Sequence, residues 1–141
     1  MKLVRLIYAS RKTEHWNDQE LQKLTAQASE YNRKHAITGV LIFNRKNFLQ
    51  CIEGERSKVS ALFQKIAHDD RHQNIELISV EQVDEREMER WSMCYIPDSH
   101  ITKELVLKYS DSDDFNPFEM TTRGAFAFIR HACELMQSAQ K

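Results

Sequence analysis

The chain switches between two kinds of apolar spacing. Residues 2–10, KLVRLIYAS, place Val4, Leu6 and Tyr8 on one side of an extended chain and Leu3, Ile7 and Ala9 on the other, the period of two that marks a strand. The stretch LQKLTAQASEYNRKH changes period. Leu21, Leu24, Ala28 and Tyr31/Asn32 recur at helical spacing, and Asn17 or Asp18 is placed to cap the helix. Two apolar runs in ITGVLIFNRKNFLQCIEG are separated by Asn44 to Asn47, which reads as a hairpin. GVLIF is apolar on both faces, as in a central strand covered on both sides. Val59, Leu62, Phe63 and Ile66 then define a second amphipathic helix from near Ser57, and NIELISVEQV and WSMCYI read as two more strands. The order β-α-β-β-α-β-β predicts an α+β, ferredoxin-like sheet with both helices on one face.

Strands apolar on both faces need a cover on the second face too. The chain beyond residue 97 can supply it. HITKELVLKY is weakly helical, SDSDDFNPF is an acidic, turn-rich linker, and RGAFAFIRHACELMQ carries Ala125, Phe128, Ile129, Ala132, Leu135 and Met136 on one helical stripe. The expected division is a sheet domain over 1–97 and a C-terminal helical extension over 98–141 that serves as cap or output segment. Phe126, Phe128, Ile129 and Met136 are expected to pack on the sheet rather than to form a dimer contact, because an apolar face of that size is otherwise left open.

FLQCIEG, residues 48–54, contains an anomaly. Gln50 lies between Phe48 and Ile52 on a face that reads as buried, and a buried amide left unpaired costs about 1–3 kcal/mol. Tyr8 lies on the inner face of the first strand, and Asn32 continues the inner stripe of the first helix. Asp69, Arg71 and His72 read as the end of the second helix. Taken singly, each has an ordinary reading: a core tyrosine with its hydroxyl at the rim, a backbone-bound glutamine, a helix-terminal asparagine, a solvated helix end. Converging on one apolar cleft, they suit a flat heterocycle that needs apolar walls and amide partners.

Composition narrows the classes. The 141 residues suit one domain, and a net charge of −1 gives no basic excess for nucleic acid or an anionic membrane. The N-terminus lacks a long apolar stretch, and no apolar run approaches the ~20 residues of a spanning helix. Cys51, Cys94 and Cys133 are few and far apart, which suggests neither a disulfide framework nor a zinc site and fits a reducing cytoplasm. Of the six histidines only His68 and His72 stand at i, i+4, and a solvated helix end accounts for them more simply than a metal. An RNA-binding module on the same kind of sheet would need an aromatic and basic cluster that is missing. An enzyme that uses such a heterocycle for redox chemistry stays as an alternative.

RLIYAS at 5–10, Asn32, ITGVL at 37–41, FLQCIEG at 48–54, DDRH at 69–72, Arg86 and WSM at 91–93 together resemble the BLUF family of blue-light photoreceptors. The resemblance runs from about Leu3 to Tyr95. It implies that Gln50 faces a non-covalently bound flavin, usually FAD, with FMN and riboflavin left open. It implies that Tyr8 is the electron and proton donor and Gln50 the amide that rearranges after light. Asn32, Asp69, Arg71 and, more weakly, His72 would contact the ring. Ile37 and Ile66 would line its walls, Phe48 would pack near it, and Trp91 and Met93 would relay the state of the glutamine. It further implies a photoreceptor without enzymatic activity: some 45 residues after WSMCYI are too few for a cyclase or phosphodiesterase. Such a protein would act through a separate downstream protein, as a homo-oligomer, with no nucleic acid or membrane partner.

Overall fold

Strand β3 (Asn47–Glu55) is the spine of the fold, and every residue from Asn47 to Gly54 on it is buried. That follows from pairing on both edges and cover on both faces. The computed structural model describes residues 1–14, 16–88, 94–97, 101 and 103–139. Strand β1 (Leu3–Lys12) runs antiparallel along one edge of β3, and β2 (Thr38–Phe43) along the other. Strand β4 (His72–Gln82) lies outside β1, and β5 (Cys94–Pro97) pairs parallel to β2. The five-stranded order is β4-β1-β3-β2-β5. This is the expected α+β, ferredoxin-like layout with one strand added.

Helices α1 (Asp18–Lys34) and α2 (Arg56–Ala67) fall where the helical spacing puts them. Asn17 caps α1, its side chain accepting from the Glu20 amide at 2.8 Å. At the other end, the Ile37 amide donates to the Asn32 carbonyl at 2.8 Å while Ala36 takes a left-handed φ of 54°. This is a Schellman turn with alanine in the place glycine usually holds. Arg86 braces that turn by donating to the carbonyls of Ala36 (2.7 Å) and Glu53 (3.2 Å) and to the Thr38 hydroxyl (3.0 Å).

Strand alternation divides the core in two. Val4, Leu6, Tyr8, Leu41, Phe48 and Ile52 face the side where α1 and α2 lie, together with Val59 and Leu62 of α2. Ile7, Val40, Ile42, Leu49, Cys51, Cys94 and Ile96 face the other side. There α3 (Lys103–Leu107), a 3₁₀ turn at Pro117–Glu119 and α4 (Thr122–Ala139) close the second face. Ala125, Phe128, Ile129 and Ala132 are fully buried in that layer, and Phe126 and Met136 are half-buried against it. Each large side chain so buried contributes about 1.5–3 kcal/mol. The stripe therefore packs on the sheet, except for Leu135, which is exposed.

One expectation needs correcting. Asp69, Arg71 and His72 do not end the second helix: α2 stops at Ala67, residues 69–71 form a turn, and His72 opens β4. The strand begins early because β1 itself runs on to Lys12, which pairs with His72. Trp91 and Met93 lie outside the described residues. Among the described residues no helix is long and apolar enough to cross a membrane.

Candidate functional site

The register of β1 on β3 sets Tyr8 directly opposite Gln50. Both point to the helical face, and the Tyr8 hydroxyl donates to Gln50 Oε1. So the amide that looked out of place has a phenol as one of its partners. Tyr8 is completely buried, with Phe63 edge-on at 5.6 Å. Burial, reinforced by the charges of Asp69 and Tyr95, pushes the phenol far above its ordinary pKa, so it stays neutral and keeps its proton to donate.

Beside this pair is a cavity of about 320 Å³ between the helices and the sheet. Leu24, Ala28, Leu41, Leu62 and Ile66 give it apolar walls, and Asn32, Gln50, Asp69 and Arg71 supply polar groups. Asn32 is fully buried, and its Oδ1 is an acceptor to which no described residue donates, although the residue makes other contacts. The Schellman turn fixes that amide in place, because the same residue's carbonyl closes the end of α1.

The turn after α2 supplies charge. Arg71 grips Asp69 through Nε–Oδ1 (2.9 Å) and Nη2–Oδ2 (2.6 Å), and its amide also donates to Oδ1 at 3.0 Å. Burial alone raises the Asp69 carboxyl, but these bonds and the guanidinium charge outweigh it and hold the group below the usual carboxylate range. Trp16 Nε1 donates to the Arg71 carbonyl, which ties the turn to the chain entering α1. His72 Nδ1 lies 2.9 Å from the Ser10 hydroxyl. Burial lowers its pKa to about 4, with Asp69 opposing and Arg71 adding to the shift, so the imidazole is neutral at pH 7.

That shift predicts a pH dependence. The unfolded chain binds a proton at His72 near pH 6.5 and the folded chain only near pH 4. Stability is therefore full above about pH 6.5 and falls as the pH drops toward 4, by up to about 3 kcal/mol. Urea unfolding across pH 4–7 should show this loss, and His72→Gln should flatten the slope in that window. Asp69, whose folded value is depressed, adds its own loss only at more acid pH.

Ile66 and His72 both line the cavity. Ile37 and Phe48 do not line it. Both are buried one layer behind, Phe48 against Trp16 and His72 (ring centroids 4.9 Å for each) and Ile37 in the same core cluster. Sequence reasoning missed Gln27, Lys65 and Tyr95 as lining residues. Tyr95 enters because parallel pairing sets it against Leu41, and its hydroxyl donates to the Thr25 carbonyl at 3.0 Å. The alternation of Cys94, Tyr95 and Ile96 was the one signal that could have placed it.

A ferredoxin-like sheet with a neutral tyrosine–glutamine pair beside an apolar cavity carrying amide groups is the arrangement of a small-molecule-binding module. Residues 3–94 match the family model described as BLUF, sensors of blue-light using FAD. The chain belongs to the BLUF family. It is 32% identical over 73 residues to the Escherichia coli (strain K12) blue light- and temperature-regulated antirepressor BluF, covering 52% of this chain and 18% of that protein. It is 34% identical over 101 residues to the photoactivated adenylate cyclase subunit beta of Euglena longa, covering 70% of this chain and 11% of that protein. The chain thus spans under a fifth of the length of these curated relatives. Solved structures match over nearly the whole chain. BlsA in its photo-activated state gives a TM-score of 0.85 at 33% identity over 92% of this chain and 94% of its own. The dark-state structure of BlrB, a BLUF protein, gives 0.77 at 28% identity over 94% and 95%.

Proposed function

We propose that the chain is a blue-light photoreceptor that holds FAD non-covalently in the cavity between α1 and α2 and signals to a separate protein. The observation that carries this reading is the Tyr8–Gln50 hydrogen bond opening onto that cavity. The residues fit the group. A cavity of about 320 Å³ is within the roughly 300–1,000 Å³ typical of ligand pockets. Asn32 and Gln50 offer both donors and acceptors to the carbonyls and N–H of a flavin edge, and Arg71 adds cationic donors. The cavity shares Gln27, Lys65, Asp69 and Arg71 with a neighbouring polar cleft, where Lys23, Lys65 and Arg71 are matched in charge by Glu20, Asp69 and Asp70.

Bound flavin would supply absorption of blue light and an excited one-electron acceptor. The rest belongs to the chain. Tyr8 is the buried, protonated phenol placed to give up an electron and its hydroxyl proton. Gln50 Oε1 accepts that hydroxyl, so the amide is the proton's first partner. A carboxamide can present either Oε1 or Nε2 to the same oxygen, so rotation or tautomer exchange reverses the Tyr8–Gln50 bond. One neutral hydrogen bond contributes about 0.5–1.5 kcal/mol, enough to bias a nearly balanced pair of conformations. The response we infer is a modest population shift in β5 and the C-terminal layer.

The test is an absorption spectrum of the FAD-loaded protein before and after blue light. A small, reversible red shift of the flavin band is expected, and Tyr8→Phe should keep the flavin but lose the shift. An unchanged spectrum in the wild-type protein, or an undiminished shift in the Tyr8→Phe variant, contradicts the assignment. Asn32→Ala should weaken flavin retention by about 1–3 kcal/mol. Flavin occupancy after dialysis measures it, and equal occupancy removes Asn32 from the site.

A further inference from the structure

A second concavity lies at the end of the sheet where β1 finishes and the β2–β3 hairpin turns. Its volume is about 530 Å³, and its lining is polar. Arg11 and Lys12 enter from β1 and Arg45 and Lys46 from the hairpin, while Glu14 and Asp114 supply two carboxylates. The wall therefore carries an excess of two positive charges in a chain whose net charge is −1.

The cations are held together by backbone geometry. Arg11 pairs across the ladder with Asn47, and the Lys12 amide donates to the Lys46 carbonyl at 2.8 Å. Asn44 shapes the turn: its Oδ1 accepts from the amides of Lys46 (2.9 Å) and Asn47 (2.7 Å), and its Nδ2 donates to the Phe115 carbonyl at 2.9 Å. Aromatic rings orient the two β1 side chains. The Arg11 guanidinium lies 5.5 Å from the Phe118 ring centroid, and Lys12 Nζ lies 5.0 Å from Phe43. Among the described residues Arg11, Arg45 and Lys46 take part in no ion pair. Like charges set side by side on neighbouring strands repel. Glu14 and Asp114 offset half of the four positive charges, which leaves two for a further anion.

We propose that this concavity binds a small polyphosphorylated anion, the class that includes nucleoside di- and triphosphates. Arg11, Arg45 and Lys46 donate charge-assisted hydrogen bonds to its phosphate oxygens, and Lys12 adds charge. The site is separate from the cleft at the mouth of the flavin cavity, with which it shares no residue. It lies between the sheet and the linker of the C-terminal extension, since Asp114 and Asn116 form part of its wall.

Calorimetric titration of the flavin-loaded full chain with tripolyphosphate, in about 0.15 M chloride, tests the assignment. Saturable one-to-one binding is expected. Arg45→Ala with Lys46→Ala should weaken it at least about tenfold. Arg45→Lys with Lys46→Arg should retain it, and Asp114→Asn should tighten it several-fold. Lys23→Ala and Lys65→Ala should leave it unchanged. The proposal is overturned if binding is absent at this salt, or if a polyglutamate peptide binds where tripolyphosphate does not. It also fails if the alanine pair has no effect while Lys23→Ala or Lys65→Ala abolishes binding.

Discussion

Replacing Gln50 with leucine is expected to leave flavin bound and to abolish the light-induced red shift. Leucine fits the space between Phe48 and Ile52 on the buried face of β3 but offers no hydrogen-bonding atom. The Tyr8 hydroxyl then loses its Oε1 acceptor inside a fully buried site, a cost of about 1–3 kcal/mol. No second amide lies opposite Tyr8 in the β1–β3 register, so nothing else on that strand can take over the two-state role. Difference spectroscopy under blue light reads the outcome directly. A photocycle like that of the wild type would remove Gln50 from the mechanism, whereas loss of flavin would make it a binding residue instead.

The second large effect lies on the opposite face. Replacing Glu53 with alanine is expected to cost about 3–5 kcal/mol of folding stability. Glu53 is fully buried, and its carboxylate accepts from Arg5 Nε at 2.9 Å and from the backbone amides of Glu87 (3.0 Å) and Met88 (2.7 Å). Arg5 is itself buried, reaches Glu81 at 3.1 Å, and stacks on the Phe126 ring at 4.2 Å. Truncation of Glu53 leaves the buried Arg5 guanidinium with the exposed Glu81 carboxylate and removes the acceptor of the Glu87 amide and the buried Met88 amide. Glu81→Ala is the internal contrast: that carboxylate is half exposed, so its loss should cost less than about 1 kcal/mol. Urea denaturation of both variants measures the difference. Equal, small effects would mean that solvent reaches Arg5 and that the pair behaves as a surface contact.

Much of this molecule is legible before it folds. Tyr8 and Gln50 each stand at the centre of a period-two strand, so their face, and hence their meeting, follows from alternation once the strands pair. Asn32 is legible for a similar reason, four residues beyond Ala28 on an amphipathic helix. The stripe of Phe128, Ile129 and Ala132 announces a second packing layer in the same way. What escapes is what depends on long-range pairing. Tyr95 reaches the cavity only because β5 lies parallel to β2, and no local pattern specifies that neighbour. Arg5 interrupts an apolar strand and Glu53 ends another. Only the antiparallel register makes them partners 48 residues apart. The family resemblance implies Ile37 as a wall residue and Phe48 as a neighbour of the ring, whereas both lie one layer behind the cavity. Trp16, which packs 4.9 Å from Phe48, sits in a stretch whose polarity hides it.

The asymmetry of the sheet has a consequence for where a signal leaves. β1 and β3 are laddered on both edges, whereas among the described residues β5 meets its neighbour β2 over four residue pairs, from Val40–Cys94 to Phe43–Pro97. Parallel pairing is also slightly weaker per residue. That strand nonetheless spans the whole thickness of the molecule, with Tyr95 against the cavity on one side and Cys94 and Ile96 in the C-terminal layer on the other. Among the described residues it is the shortest strand of the sheet, and it lies at an edge. Amide hydrogen exchange should find its protons leaving first, ahead of those on the three strands that hold the site rigid.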